Sequence, residues 1–142
     1  MAGVRTLTVP STLDSLAEVN EFVTQAARDA ALDEDAIYQV QLAVDEAFAN
    51  IVHHACGDDE CSEVECSCRI DEKGLTVTFR DHGIPFDPNC VPEPDLTSDV
   101  FERAAGGLGL FFMNKVMDKV HFEFSPDLGN VLTMVKLREA ST

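Results

Sequence analysis

The chain has 142 residues, a length that suits one domain built on one sizeable core. Ten basic residues against 26 acidic ones leave a net charge of −16, which repels nucleic acid and anionic membranes and favours basic protein surfaces as partners. An apolar fraction of 45% with nine Phe argues against a disordered tail, and no apolar run approaches the roughly 20 residues that span a bilayer. The N-terminal stretch lacks the apolar block of a signal peptide, so a cytoplasmic protein is expected.

Residues 6–9 read as a short strand halted by Pro10. Ser11 and Asp14 stand at capping-box spacing and predict a first helix with Leu13, Leu16, Val19, Val23, Ala26 and Ala30 as its apolar stripe. Leu32-Asp33 breaks that helix. Asp33 is a good N-cap for a second helix from about Glu34 to about Ala55, with Gly57 beyond as a stop. Val44, Ala47, Phe48, Ile51 and Ala55 recur on it at the spacing of a buried face.

Val64, Cys66, Cys68 and Ile70 alternate with Glu63, Glu65, Ser67 and Arg69, the pattern of a half-buried strand. Asp71-Glu72-Lys73-Gly74 is a hairpin turn, and Leu75, Val77 and Phe79 return from it to deliver Asp81 at the strand end. From Gly83 to about Ala105 the prolines at 85, 88, 92 and 94 exclude a long regular element. A loop of that length inside a compact domain is usually functional, often a lid. Gly106-Gly107-Leu108-Gly109 ends it and opens a helix through about Met117. Val120, Phe122 and Phe124 predict a strand, residues 125–129 a turn, and residues 131–137 a last strand. With no repeat and no composition break, residues 1–142 read as a single domain of the α+β class. The expected architecture is a two-layer sandwich, with helices on one face of a largely antiparallel mixed sheet.

Five cysteines are an odd number without secretory context, so a disulfide framework is not expected. Cys56, Cys61, Cys66 and Cys68 lie near His53 and His54, but no Cys-x-x-Cys pair is present and the spacing fits structural zinc sites poorly. Cys66 and Cys68 fall on one strand face, where small buried side chains belong.

Three segments carry chemistry. Glu46 and Asn50 are four apart, so on a helix they stack along the flank of the apolar stripe, and His54 extends the row. A carboxylate and a carboxamide there suit a hard-oxygen site for Mg²⁺ with one carboxylate free as a base; the plain alternative is a solvated helix edge. Asp81 before Gly83 puts an acceptor at the sheet rim, where a planar base offering an N–H would suit it. Gly106, Gly107 and Gly109 before a helix can cradle phosphate with bare N–H groups and the helix dipole, although such glycines also serve close packing. At −16, phosphate has to be held by backbone and metal rather than by a Lys/Arg cluster.

Taken in this order, the segments resemble the GHKL (Bergerat-fold) ATP-binding family, and within it the anti-sigma-factor serine/threonine kinases. Glu46-Ala47-x-x-Asn50-x-x-x-His54-Ala55 is similar to that branch's N-box, and Asp81-x-Gly83-x-Pro85-Phe86-Asp87-Pro88 to its first glycine motif. Gly106-Gly107-Leu108-Gly109-Leu110 followed by Met117-Asp118 is similar to the second. The resemblance implies an ATP-dependent protein serine/threonine kinase and anti-sigma regulatory factor. Such a protein phosphorylates an anti-anti-sigma (STAS-like) antagonist and sequesters a sigma factor, and a homodimer is compatible with it.

It further implies that Glu46 is the base toward the acceptor hydroxyl and that Asn50 ligates Mg²⁺. Asp81 would accept from the adenine amine, with Gly83 and Phe86 beside it. Gly107 and Gly109 would hold the phosphates, with Gly106, Leu108 and Leu110 as further nucleotide-binding residues of that motif, and Thr133 would support the adenine pocket. His54 reads as a packing residue, since Glu46 fills the base role. Two departures stand out: an acidic, proline-rich lid with Arg103 as the only basic residue between Pro85 and Lys115, and Asn130 after Gly129 where many members carry Thr. The rival reading is a non-catalytic ATP-binding module that works by sequestration alone; the presence of both Glu46 and Asn50 argues against it.

Overall fold

The computed structural model describes residues 3–52, 63–82, 115–125 and 129–138. Period-two alternation becomes five strands: β1 (Gly3–Pro10), β2 (Glu63–Asp71), β3 (Gly74–Asp81), β4 (Lys119–Ser125) and β5 (Gly129–Leu137). They form one sheet in the order β1-β2-β3-β5-β4. Every pairing among the described strands is antiparallel, so the expected mixed sheet shows no parallel pair there.

Helices α1 (Leu16–Asp29) and α2 (Glu34–Asn50) cover one face of this sheet. Val19, Val23 and Ala27 from α1, with Val40, Val44, Ala47 and Phe48 from α2, are buried in one core with Val64, Cys66, Val77, Phe79 and Met134. This is the expected two-layer α+β arrangement, with the apolar stripe of each helix laid on the apolar face of the sheet. The alanines on both helices let the two backbones sit close together.

The helix ends follow local chemistry, with one correction. Asp33 caps α2 by accepting from the Ala36 N–H at 2.7 Å. The capping box predicted at Ser11 and Asp14 does not open α1: a 3-10 turn, Leu13–Ser15, comes first, and neither Thr12 nor Ser15 makes a side-chain capping bond. Leu13, expected on the buried stripe, is 46% exposed. At its other end α1 closes through Ala31 (φ 61°), with the Leu32 N–H returning to the Ala27 carbonyl at 3.2 Å. The second helix was expected to reach about Ala55; α2 is described to Asn50, and Ile51 and Val52 continue in wider π-type turns.

Arg5 on β1 meets Asp29 at the end of α1 at 2.6 Å. The hydrogen bond from Arg5 holds the Asp29 carboxyl below its ordinary range. Because the folded value is the depressed one, this pair's small contribution is present at neutral pH and is lost on acidification through that lowered value. Cys66 and Cys68 are free and buried, as their alternation implied. The hydrogen bond with Cys68, together with burial, pushes the Cys66 thiol up, so it stays protonated and inert.

Phe48→Ala removes a fully buried ring from the junction of α2 and the sheet. It is expected to cost about 3–5 kcal/mol in urea denaturation. Val4→Ala, at a side chain 67% exposed, should stay within about 0.5 kcal/mol.

Candidate functional site

Where α2 crosses β3, the rings of Phe48 and Phe79 meet with centroids 6.4 Å apart and planes tilted by 51°. Phe48 lies between Glu46 and Asn50 in sequence, and Phe79 lies two residues before Asp81 on the same strand face. This contact therefore ties the C-terminal half of α2 to the C-terminal half of β3. Three residues predicted to act together come from two elements joined by one aromatic pair.

Neighbouring carboxylates on α2 have separate environments. Asp45 turns toward α1 and accepts from Asn20 Nδ2 at 2.7 Å. Glu46 is exposed, so another molecule can reach it. Asn50, one turn further on, is half-buried, and its Nδ2 is buried without a hydrogen-bond partner among the described residues. A buried amide donor left unanswered costs free energy.

Asp81 is the last residue of β3 and only 2% exposed. It stands opposite Asn130 in the β3–β5 ladder, and Asn130 Nδ2 donates to its Oδ1 at 3.0 Å. Asn130 is itself 8% exposed. Gly129 precedes it with φ +80°, and a Cβ there would collide with the Asp81 carbonyl oxygen and press on His82 Nδ1. Only glycine lets the start of β5 come this close to Asp81.

Thr133 is not brought to this site. It pairs with Thr78 on β3 and with His121 on β4, in a row that continues through Ser67 to Thr6. Thr78 alternates with the buried Val77 and Phe79, so that row lies on the sheet face away from the helices. Thr133 and Asp81 project from opposite faces. The residue on β5 that does meet Asp81 is Asn130, which sequence reasoning noted as a departure without assigning it to the site. Its signal was the glycine before it, since a forced close approach marks the next side chain as a neighbour of Asp81.

Gly83, Phe86, Gly106, Gly107, Leu108, Gly109 and Leu110 lie outside the described residues, as do His54, Cys56 and Cys61. Lys115 and Val116 are helical, and the rest of the helix expected after the glycines lies outside the described residues. Among the described residues no group of three or more His, Cys, Asp or Glu side chains is placed to hold a metal. Three separate features are thus present: a buried acceptor fixed by a carboxamide at Asp81, an amide at Asn50 unanswered among the described residues, and an exposed carboxylate at Glu46. A planar donor suits the first, an anion or its counter-cation the second, and a proton the third.

The chain matches the family model described as "Histidine kinase-like ATPase domain" over residues 9–136. It is 33% identical over 134 residues to a serine-protein kinase RsbW of Halalkalibacterium halodurans, covering 92% of this chain and 80% of the relative. It is 35% identical over 128 residues to an anti-sigma F factor of Pasteuria penetrans, covering 87% and 80%. A serine-protein kinase RsbW of Listeria monocytogenes is 34% identical over 103 residues, 70% of this chain and 66% of that one.

Asn130→Ala should destabilise the fold by about 1–3 kcal/mol, because it withdraws a donor from a buried carboxylate. In an Asp81→Ala background the same change should cost less than half as much, a coupling that urea denaturation of the four proteins measures. Additive losses would mean that the Asn130–Asp81 bond carries none of the effect.

Proposed function

The chain belongs to the histidine kinase-like ATPase domain family, and from that premise we propose that it is an ATP-dependent protein serine/threonine kinase that also sequesters a sigma factor. Its substrate would be a small anti-anti-sigma antagonist. One observation carries the reading: both an RsbW serine-protein kinase and an anti-sigma F factor align over 80% of their own lengths, and this chain has Glu46, Asn50 and Asp81 in the motifs that resemble the family's. An acidic protein of net charge −16 suits a partner with basic patches. A sigma factor would place the protein in the cytoplasm, and no helix among the described residues is long and apolar enough to cross a membrane.

When bound, Mg·ATP supplies the transferable phosphoryl group and the cation that offsets its charge. Asp81, held by Asn130, reads the adenine amine as a donor. Asn50 offers its carboxamide oxygen to Mg²⁺ and its Nδ2, which has no partner among the described residues, to a phosphate oxygen. Glu46, exposed on the next turn back, orients the acceptor hydroxyl and takes its proton. The resemblance assigns the phosphates to Gly107 and Gly109 within the Gly106–Leu110 stretch and room for the base to Gly83, with Phe86 among the nucleotide-binding residues. Catalysis then rests on positioning and charge neutralisation, with Glu46 adding proton transfer.

Glu46→Gln keeps the side chain's size but removes its basicity. Transfer of labelled phosphate to the antagonist at saturating ATP should fall by about 10²–10⁴-fold, while ATP binding persists. Phosphorylation undiminished by the variant would remove Glu46 from the mechanism. No transfer by the wild-type protein to any antagonist would favour a module that acts by sequestration alone.

The nucleotide site should also depend on metal. ATP is expected to raise the melting temperature with Mg²⁺ present and far less with EDTA, since few cations are available to offset the triphosphate. Equal shifts in the two conditions would exclude the metal role of Asn50.

A further inference from the structure

Helices α1 and α2 bury one side against the sheet and leave a groove of about 810 Å³ between them on the other. Five large apolar side chains are exposed among the described residues, and three of them line this groove: Leu13 (46%), Tyr38 (61%) and Leu42 (40%). Leu13 belongs to the 3-10 turn that precedes α1. Single exposed apolar residues need no explanation, but three gathered in one concavity mark a surface that another molecule covers.

The groove is tied together from within. Asn20 donates to Asp45 at 2.7 Å, Thr24 to Asn20 at 3.2 Å, and Gln41 to Thr24 at 3.0 Å. This bonded set spans both helices, so the walls keep their spacing and little ordering is left for a partner to impose. The rim is acidic: Asp14, Glu21 and Asp45 line the groove against Arg28 as its one cation.

We propose that this groove receives an amphipathic helix from a basic partner protein. Apolar anchors at i, i+3 or i+4, and i+7 would lie among Leu13, Tyr38 and Leu42, with flanking Lys or Arg reaching Asp14 and Glu21. Charge selects this occupant. A second copy of the chain would bring another −16 to the interface, and groove on groove would set Asp14 and Glu21 against their own counterparts. Nucleic acid and anionic lipid are repelled by the same field. Glu46, Asn50 and Asp81 do not line the groove, so this docking surface holds whether or not the chain transfers phosphate.

The test uses the full chain and a fluorescein-labelled Leu/Lys peptide with Leu at i, i+3, i+4 and i+7. Its controls are a scrambled peptide of the same composition and one with Glu in place of Lys. The amphipathic basic peptide should bind at least about tenfold tighter than either control, and Tyr38→Ala with Leu42→Ala should weaken it about tenfold or more. Amide NMR shifts should concentrate on the groove sides of α1 and α2. Glu21→Lys should weaken binding several-fold, and Val4→Ala, at an exposed apolar side chain off the groove, should leave it unchanged. All the substituted side chains are exposed, and circular dichroism with thermal melting confirms that each variant is folded. Equal binding of the scrambled peptide, or wild-type affinity in the doubly substituted protein, would overturn the proposal. So would a concentration-dependent dimer that Tyr38→Ala abolishes, because a second copy would then fill the groove.

Discussion

The contact of Phe48 with Phe79, ring centroids 6.4 Å apart, holds the molecule's chemistry in register. Each ring is fully buried, so neither helix nor strand can slide without opening a cavity in a close-packed core. Glu46 and Asn50 ride on the helix on either side of one ring, and Asp81 follows the other by one alternation of the strand. A slip of one residue along β3 would turn Asp81 to the far face of the sheet and Arg80 toward the helices. The apolar pair therefore helps to fix the position of polar groups on both elements.

At Asp81 the sheet adds a second constraint. The ladder sets Asn130 directly opposite, and Gly129 at φ +80° admits the close passage that brings the carboxamide to 3.0 Å. A carboxylate only 2% exposed is costly to hold without donors. The bond from Asn130 offsets part of that cost and aims the carboxylate. Asn130 has two donors and an acceptor, where a threonine hydroxyl has a single proton to give. The strand end and the turn glycine are thus held to each other by ladder and hydrogen bond, while the end of α2 is tied to β3 through the apolar core.

The two faces of the helical layer serve different ends. Inward, small and branched side chains fill the space above the sheet. Outward, Asn20, Thr24, Gln41 and Asp45 join the helices while leaving Tyr38 and Leu42 in solvent. Asp45 and Glu46 show how finely this division is drawn: neighbours in sequence, they point about 100° apart around the helix. One is spent on the helix pair and the other stays accessible.

Much of this was legible in the chain itself. Alternation of Val64, Cys66, Cys68 and Ile70 with polar residues determined β2 and its buried face, and Asp33 determined where α2 begins. The four-residue step from Glu46 to Asn50 and the strand-end place of Asp81 came from local periodicity, which a strand or helix obeys wherever it lies. Three features needed the tertiary structure. Leu13 lies outside the core, in a 3-10 turn that precedes α1, and its spacing from Leu16 does not by itself tell that turn from the helix. Thr133 went to the outer face, and Asn130 rather than Thr133 met Asp81, because strand register is a relation between segments about fifty residues apart. The groove on α1 and α2 arose only when two amphipathic stripes were set side by side, since each helix alone shows an ordinary solvated face. Local patterns specify which face of an element is apolar; only packing decides what its polar face will meet.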